Sequence, residues 1–168
     1  MMNRNQGFTL IELIITLSIL TIAISMAVPA MVDLVARNQQ QALRMQVQDT
    51  LQKARVRAVL YRQPVVLCGS EDTLSCSGNW TNGWIAQEEA SQQILHVIQL
   101  ATADELRWIG FGDQQIRFYE NGTSPWSNGR FYQCYKQRIA WQLILSRQGR
   151  LRQGTAEENE SKAALCTP

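Results

Sequence analysis

The chain has 168 residues, of which 45% are hydrophobic and 18% charged, and a net charge of +2. That length leaves a single modest domain once an apolar N-terminal segment is set aside, and the near-neutral balance excludes a partner chosen by overall charge. The distribution is less even: residues 63–129 carry two basic and eight acidic side chains, whereas residues 130–152 carry six basic and none acidic.

The chain begins with a polar leader, MMNRNQ, whose one charge is Arg4, followed by GFTLIELIITLSILTIAISMAVPAMV over 7–32. From Leu13 to Val32 there is no charged residue. A helix of about 20 residues is roughly 30 Å long, the thickness of a bilayer's hydrocarbon core. Glu12 stands at the mouth of this run, and a carboxylate there is costly without a partner. A secretory signal would use Arg4, the apolar run and Ser25-Met26-Ala27 as its cleavage site. A plain anchor would treat Glu12 as incidental. Neither accounts for Gly7-Phe8 with Glu12 one helical turn beyond. Cleavage after Gly7 would create an amine at Phe8, and in a bundle of such helices that amine could neutralise a neighbour's Glu12, making the charge a register device.

Gly7-Phe8-Thr9-Leu10-Ile11-Glu12 ahead of an apolar run resembles the class III signal of type IV pilins and of the pseudopilins of type II secretion. The resemblance implies that a prepilin peptidase cuts after Gly7 and methylates the Phe8 amine. It implies a single-pass chain in the bacterial inner membrane with its head in the periplasm, later a pilus subunit at the cell surface among other major and minor pilins. Pro29 fits it as well, because pilin helices often carry a proline at this depth. The fold it implies is the type IV pilin-like α+β fold, one long N-terminal helix packed on an antiparallel β-rich head.

Beyond Val32 the sequence turns polar but keeps helical spacing, with Leu43, Val47, Leu51, Ala54 and Ala58 on one stripe. One helix is expected from about Thr9 to Tyr61, with Pro64 as its stop and its basic residues on a solvated face. Short strands are expected at Val65–Cys68, Gly83–Ala86, Ile94–Leu100, Arg107–Phe111, Gln115–Tyr119, Phe131–Tyr135 and Ile139–Leu145, with Gly69–Asn82 a loop and turn signals at Asn121-Gly122 and Asn128-Gly129. The organisation expected is a leader at 1–7, a membrane and filament-core helix at 8–32, its amphipathic continuation at 33–62, a β-rich head at 63–152 and a C-terminal tail at 153–168.

Four cysteines behind an exported N-terminus suggest disulfides. Of three possible pairings, Cys68–Cys76 closes a short loop and Cys134–Cys166 ties the tail to the domain, and this is the pairing expected. The spacings do not suit zinc, and His96 is the one histidine. The strand entering a cysteine-bracketed loop, followed by Trp80-Thr81-Asn82-Gly83-Trp84, resembles the GspH/FimT group of minor pilins. Trp80 and Trp84 themselves read as core or loop-packing residues.

No catalytic grouping is present. His96 lies mid-strand without a matched nucleophile, and Glu88-Glu89 and Asp104-Glu105 read as solvated loop acids. There is no phosphate loop, no Gly-x-Ser-x-Gly and no metal-ligand cluster, so neither an enzyme nor a cofactor is expected. The basic block holds Arg130, Lys136, Arg138, Arg147, Arg150 and Arg152. In an extended segment Arg150 and Arg152 point to one side, Leu151 to the other, and Gly149 permits a turn. Guanidiniums so placed suit phosphate oxygens. Gly149-Arg150-Leu151-Arg152 looks like the Gly-Arg-x-Arg signature of FimT-like minor pilins, which implies DNA contact during natural transformation, with Lys136, Arg138 and Arg147 as further candidates. Against this, the arginines could pair with glutamates, and the tail supplies Glu157, Glu158 and Glu160. The competing readings are a structural minor pilin or type II secretion pseudopilin that primes or caps a filament without DNA, and a secreted β domain released by ordinary signal cleavage.

Overall fold

The computed structural model describes residues 9–100, 106–111 and 114–167. The chain falls into two units, one ending at Gln39 and one beginning at Gln40. Helix α1 (Leu10–Tyr61) begins in the first. Thr9 starts it with a capping box: the Thr9 amide and hydroxyl both donate to Glu12 Oε2 at 2.9 Å, and the Glu12 amide donates to Thr9 Oγ1 at 3.3 Å. Leu10, Leu13, Leu17, Leu20, Ile24 and Val28 are all exposed, and an 18-residue window reaches a mean hydropathy of 2.3. The hydroxyls in this stretch turn inward on the helix. Thr16, Ser18, Thr21 and Ser25 donate to the carbonyls of Leu13, Ile14, Leu17 and Ile22 at 2.8–2.9 Å. None of the four hydroxyls between Leu13 and Val32 is therefore left unpaired, as a lipid environment would require.

In the second unit α1 buries Leu43, Val47, Leu51, Ala54 and Ala58, the stripe read from spacing, and adds Thr50. It ends in a Schellman turn: Arg62 takes φ 52°, the Gln63 amide donates to the Ala58 carbonyl at 3.3 Å, and Pro64 follows. Among the described residues, eight strands then form two antiparallel sheets. In the first, β3 (Ile94–Gln99), β2 (Gly83–Glu88), β1 (Val65–Gly69) and β5 (Gln115–Phe118) lie in that order. The second has the order β4 (Leu106–Gly110), β6 (Gly129–Tyr135), β7 (Arg138–Leu145) and β8 (Leu151–Gln153). One core joins the helix stripe to Val65, Leu67, Trp84, Phe118, Phe131, Trp141 and Leu145. Trp80 and Trp84 are both in that core.

Several expectations need correction. The basic helix face is not simply solvated: Arg57 pairs with Glu88 at 2.9 Å, and Arg55 binds loop carbonyls described below. Glu88-Glu89 is not solvated surface either. Glu88 is buried, held below the usual carboxylate range by the Arg57 hydrogen bond and then by the Ser91 hydroxyl, and Glu89 pairs with Arg117. Asp104-Glu105 lies outside the described residues. Asn128-Gly129 is not a turn. Gly129 opens β6 opposite Gly110, where a Cβ on either would run into the Trp108 ring. The two-residue turn joining β6 to β7 is instead Lys136-Gln137, with φ 49° and 61°. The strand β8 (Leu151–Gln153) and helix α2 (Ala156–Ser161) are additional to the expected elements.

Candidate functional site

Both disulfides join the cysteines expected from the sequence, Cys68 to Cys76 and Cys134 to Cys166. Within the first loop Asp72 accepts from the Leu74 and Ser75 amides at 2.9 and 2.8 Å and from the Ser75 and Ser70 hydroxyls. Those donors, led by the Leu74 amide, hold its carboxyl far below its ordinary value. The loop is thus internally satisfied. His96 is half-buried on β3 and lines a cavity of about 220 Å³ with Thr50, Lys53 and Arg57.

The arginine segment is a tight turn between β7 and β8. The Ser146 amide donates to the Arg150 carbonyl at 2.9 Å, the Gly149 amide to the Ser146 carbonyl at 2.9 Å, and the Arg150 amide to Ser146 Oγ at 3.2 Å. Gly149 takes φ 72°, and a Cβ there would run into the Gly122 carbonyl oxygen. Arg55 clamps both loops, donating from Nε to the Gly122 carbonyl at 2.9 Å and from Nη2 to the Gln148 carbonyl at 3.3 Å. The Ser124 amide adds a bond to the Arg147 carbonyl at 2.9 Å. Arg147 and Arg150 stand exposed on this braced turn, and among the described residues neither has an ion pair.

Arg152 differs. It lies on β8, and its guanidinium forks onto Glu158 at 2.8 and 2.7 Å. Leu151 points to the core, as alternation requires. Arg150 and Arg152 are therefore not a free pair: both are exposed, but Arg152 is engaged by Glu158 while Arg150 has no ion pair among the described residues. Glu158 also completes a capping box with Thr155 that starts α2. Its carboxyl is pulled down to about 2, first by the Arg152 hydrogen bonds and then by the Thr155 amide, with Arg130 adding to the field. Arg130 and Arg152 flank Ile144 from the two neighbouring strands, and Arg130 donates to Gln142 Oε1 at 3.0 Å.

Lys136 and Arg138 do not join this group. They sit at the opposite end of β7 from Arg147, about 24 Å away by strand rise, and Lys136 lies 5.2 Å from the Tyr135 ring centroid. The basic block thus forms two separate groups. Past α2, a short 3₁₀ turn (Ala163–Cys166) brings Leu165 and Cys166 onto Tyr132, Cys134 and Ile139, covering the second sheet's outer face.

Because Glu158 has a lowered carboxyl pKa, its pairing contributes fully above the ordinary value of 4.5 and is lost as pH falls through about 2. Glu158→Gln is expected to remove that part of the acid dependence of unfolding. It is also expected to shorten α2's lifetime in hydrogen exchange, while Glu157→Gln, which has no such partner among the described residues, leaves both unchanged.

Residues 2–28 match the prokaryotic N-terminal methylation motif, and residues 44–149 match the family described as type II transport protein GspH. The chain belongs to the GspH family. Members of this family are structural pilin-type proteins and not enzymes. The methylation motif implies processing by a prepilin peptidase, passage through the inner membrane and assembly with other filament subunits. Gly7 and Phe8, where cleavage would fall, lie outside the described residues. Two crystal forms of the type IV minor pilin FimU of Pseudomonas aeruginosa share the fold at 22% identity and TM-score 0.50. They cover 72% and 70% of this chain and 92% and 94% of theirs. No curated relative matches the chain at a significant level. The GspH match ends at Gly149, so Arg150, Arg152 and the C-terminal helix fall beyond it.

Proposed function

We propose that this chain is a minor subunit of a type IV pilus, of the FimT-like kind, and that it binds DNA without sequence preference during uptake. The leader 1–7 is removed, the helix 8–32 serves first as membrane span and then as filament core, and the head carries the ligand. The observation that supports DNA binding is the braced turn at Ser146–Arg150. Arg147 and Arg150 are exposed and unpaired among the described residues, on a backbone fixed by five hydrogen bonds to Ser146, Arg55 and Ser124. Cations already held in place lose little entropy when phosphates arrive. Arg152 is a reserve charge that joins only when Glu158 lets go.

The test is fluorescence anisotropy of labelled duplex DNA with the processed full-length chain in detergent, across a salt series. The Arg147→Ala, Arg150→Ala double variant is expected to bind about 10-fold more weakly or worse, with a log–log salt slope smaller by about 2. Unchanged affinity and slope would remove the turn from the reading. The bidentate Arg152–Glu158 pair supports a second reading, a structural minor subunit or pseudopilin. That reading expects no DNA affinity even at low salt, with binding to other minor subunits retained.

A further inference from the structure

We propose that Phe111 and Trp126 form a stacking platform for the bases of single-stranded DNA, beside the arginine turn. This rests on the DNA reading above and deepens it by naming the strandedness that the surface selects. Trp126 is 65% and Phe111 56% exposed, and their ring centroids lie 6.2 Å apart at 30°. The chain's four other tryptophans, Trp80, Trp84, Trp108 and Trp141, are buried. The exposed one is therefore an exception within its own fold.

The backbone beneath the pair is fixed. Ser124 and Ser127 are buried, and both hydroxyls engage the backbone of Arg117: Ser124 Oγ donates to its carbonyl at 2.8 Å, and its amide donates to Ser127 Oγ at 3.1 Å. The Ser127 amide closes the turn onto the Ser124 carbonyl at 3.3 Å, with Pro125 between them, and the Phe111 amide donates to the Asn128 carbonyl at 2.8 Å. The turn that presents Trp126 is thus rigid at both ends while its largest side chain is left in water.

The same turn is tied to the arginine turn, because the Ser124 amide donates to the Arg147 carbonyl at 2.9 Å. Chain geometry then puts the Cα of Trp126 within about 13 Å of that of Arg147. Aromatic rings beside unpaired guanidiniums are the two components of single-strand binding: one takes base faces and the other phosphates. A duplex buries its base faces in the stack, so the rings add affinity only for a single strand. The flanking charge, Arg147 and Arg150 without acidic partners among the described residues, favours a polyanion over an apolar protein patch as occupant.

The experiment uses the processed full-length chain in detergent, with labelled oligo(dT) and a duplex of equal length. Anisotropy reads affinity, and intrinsic fluorescence reads the exposed tryptophan. Oligo(dT) is expected to quench that fluorescence. Trp126→Ala is expected to weaken oligo(dT) binding at least about 5-fold while leaving duplex binding unchanged, and Trp126→Phe to retain most of the single-strand affinity. Equal effects of Trp126→Ala on both DNAs, or none on either, would overturn the platform while the arginine reading stands on its duplex data. Unchanged DNA binding with impaired subunit incorporation would also overturn it, and would assign the rings to a neighbouring subunit. Wild-type chain that binds neither DNA would fail the DNA reading itself, a result separable from the others because each of them starts from measurable wild-type binding.

Discussion

A Glu12→Ala chain is expected to insert in the inner membrane as efficiently as wild type and to be almost absent from sheared filaments. Insertion is driven by the uncharged run from Leu13 to Val32 and does not need the carboxylate. Assembly is expected to need it, because a charge entering a dry helical bundle needs a partner of opposite sign, and removal of one partner of such a pair costs about 3–5 kcal/mol. The structure supplies a rival explanation. Glu12 already completes the capping box of α1, accepting from the Thr9 amide and hydroxyl through one oxygen. Glu12→Gln separates the two roles. Glutamine still serves at the third position of a capping box but carries no charge. If the register role is correct, Glu12→Gln is excluded from filaments as Glu12→Ala is. A Gln variant that assembles normally would reduce Glu12 to a helix cap. Immunoblots of membrane and sheared fractions from the same cells provide the measurement.

The second large effect is expected at Gly149. Valine there must adopt φ 72° and place its Cβ against the Gly122 carbonyl and 3.2 Å from Arg55 Nε. A branched residue in the left-handed region, with a backbone collision added, is expected to destabilise the second unit by about 3 kcal/mol. The head should melt several degrees lower, and DNA binding should fall because the turn no longer holds its shape. Gly149→Ala should follow at a smaller magnitude. A Gly149→Val chain with unchanged melting but lost DNA affinity would instead place the glycine against the ligand. The first position of the Gly-Arg-x-Arg pattern thus has an architectural explanation within this chain, independent of any nucleic acid.

Sequence periodicity was enough for α1, since Leu43, Val47, Leu51, Ala54 and Ala58 keep helical spacing whether or not anything packs on them. The alternating strand β5 is legible for the same reason. β8 was not, because Leu151–Gln153 is three residues long and shows no period. Helix α2 had its capping box in plain sight, Thr155 three positions before Glu158, but six polar-rich residues carry no apolar face to announce a helix. Contacts made at long range were invisible. Arg55 meets Gly122 and Gln148 across 67 and 93 residues, and Arg57 meets Glu88 across 31. A run of arginines on a helix gives no sign of which will find a carbonyl. The basic block is legible in the sequence as composition, and its division into two groups is not, because the rise of β7 carries Lys136 and Arg138 away from Arg147.

Arg55 also sets what kind of object the arginine turn is. Its guanidinium holds two loops that have no covalent reason to meet, from a helix laid down first in the chain. The turn's shape therefore belongs to the whole head and not to residues 146–152. A peptide of that sequence would carry the same charges and sample many backbones. During synthesis nothing that resembles the finished turn exists until almost the entire chain has been made and folded. Whatever the turn recognises, it recognises only on an intact subunit, so loss of the head's structure and loss of its grip are one event.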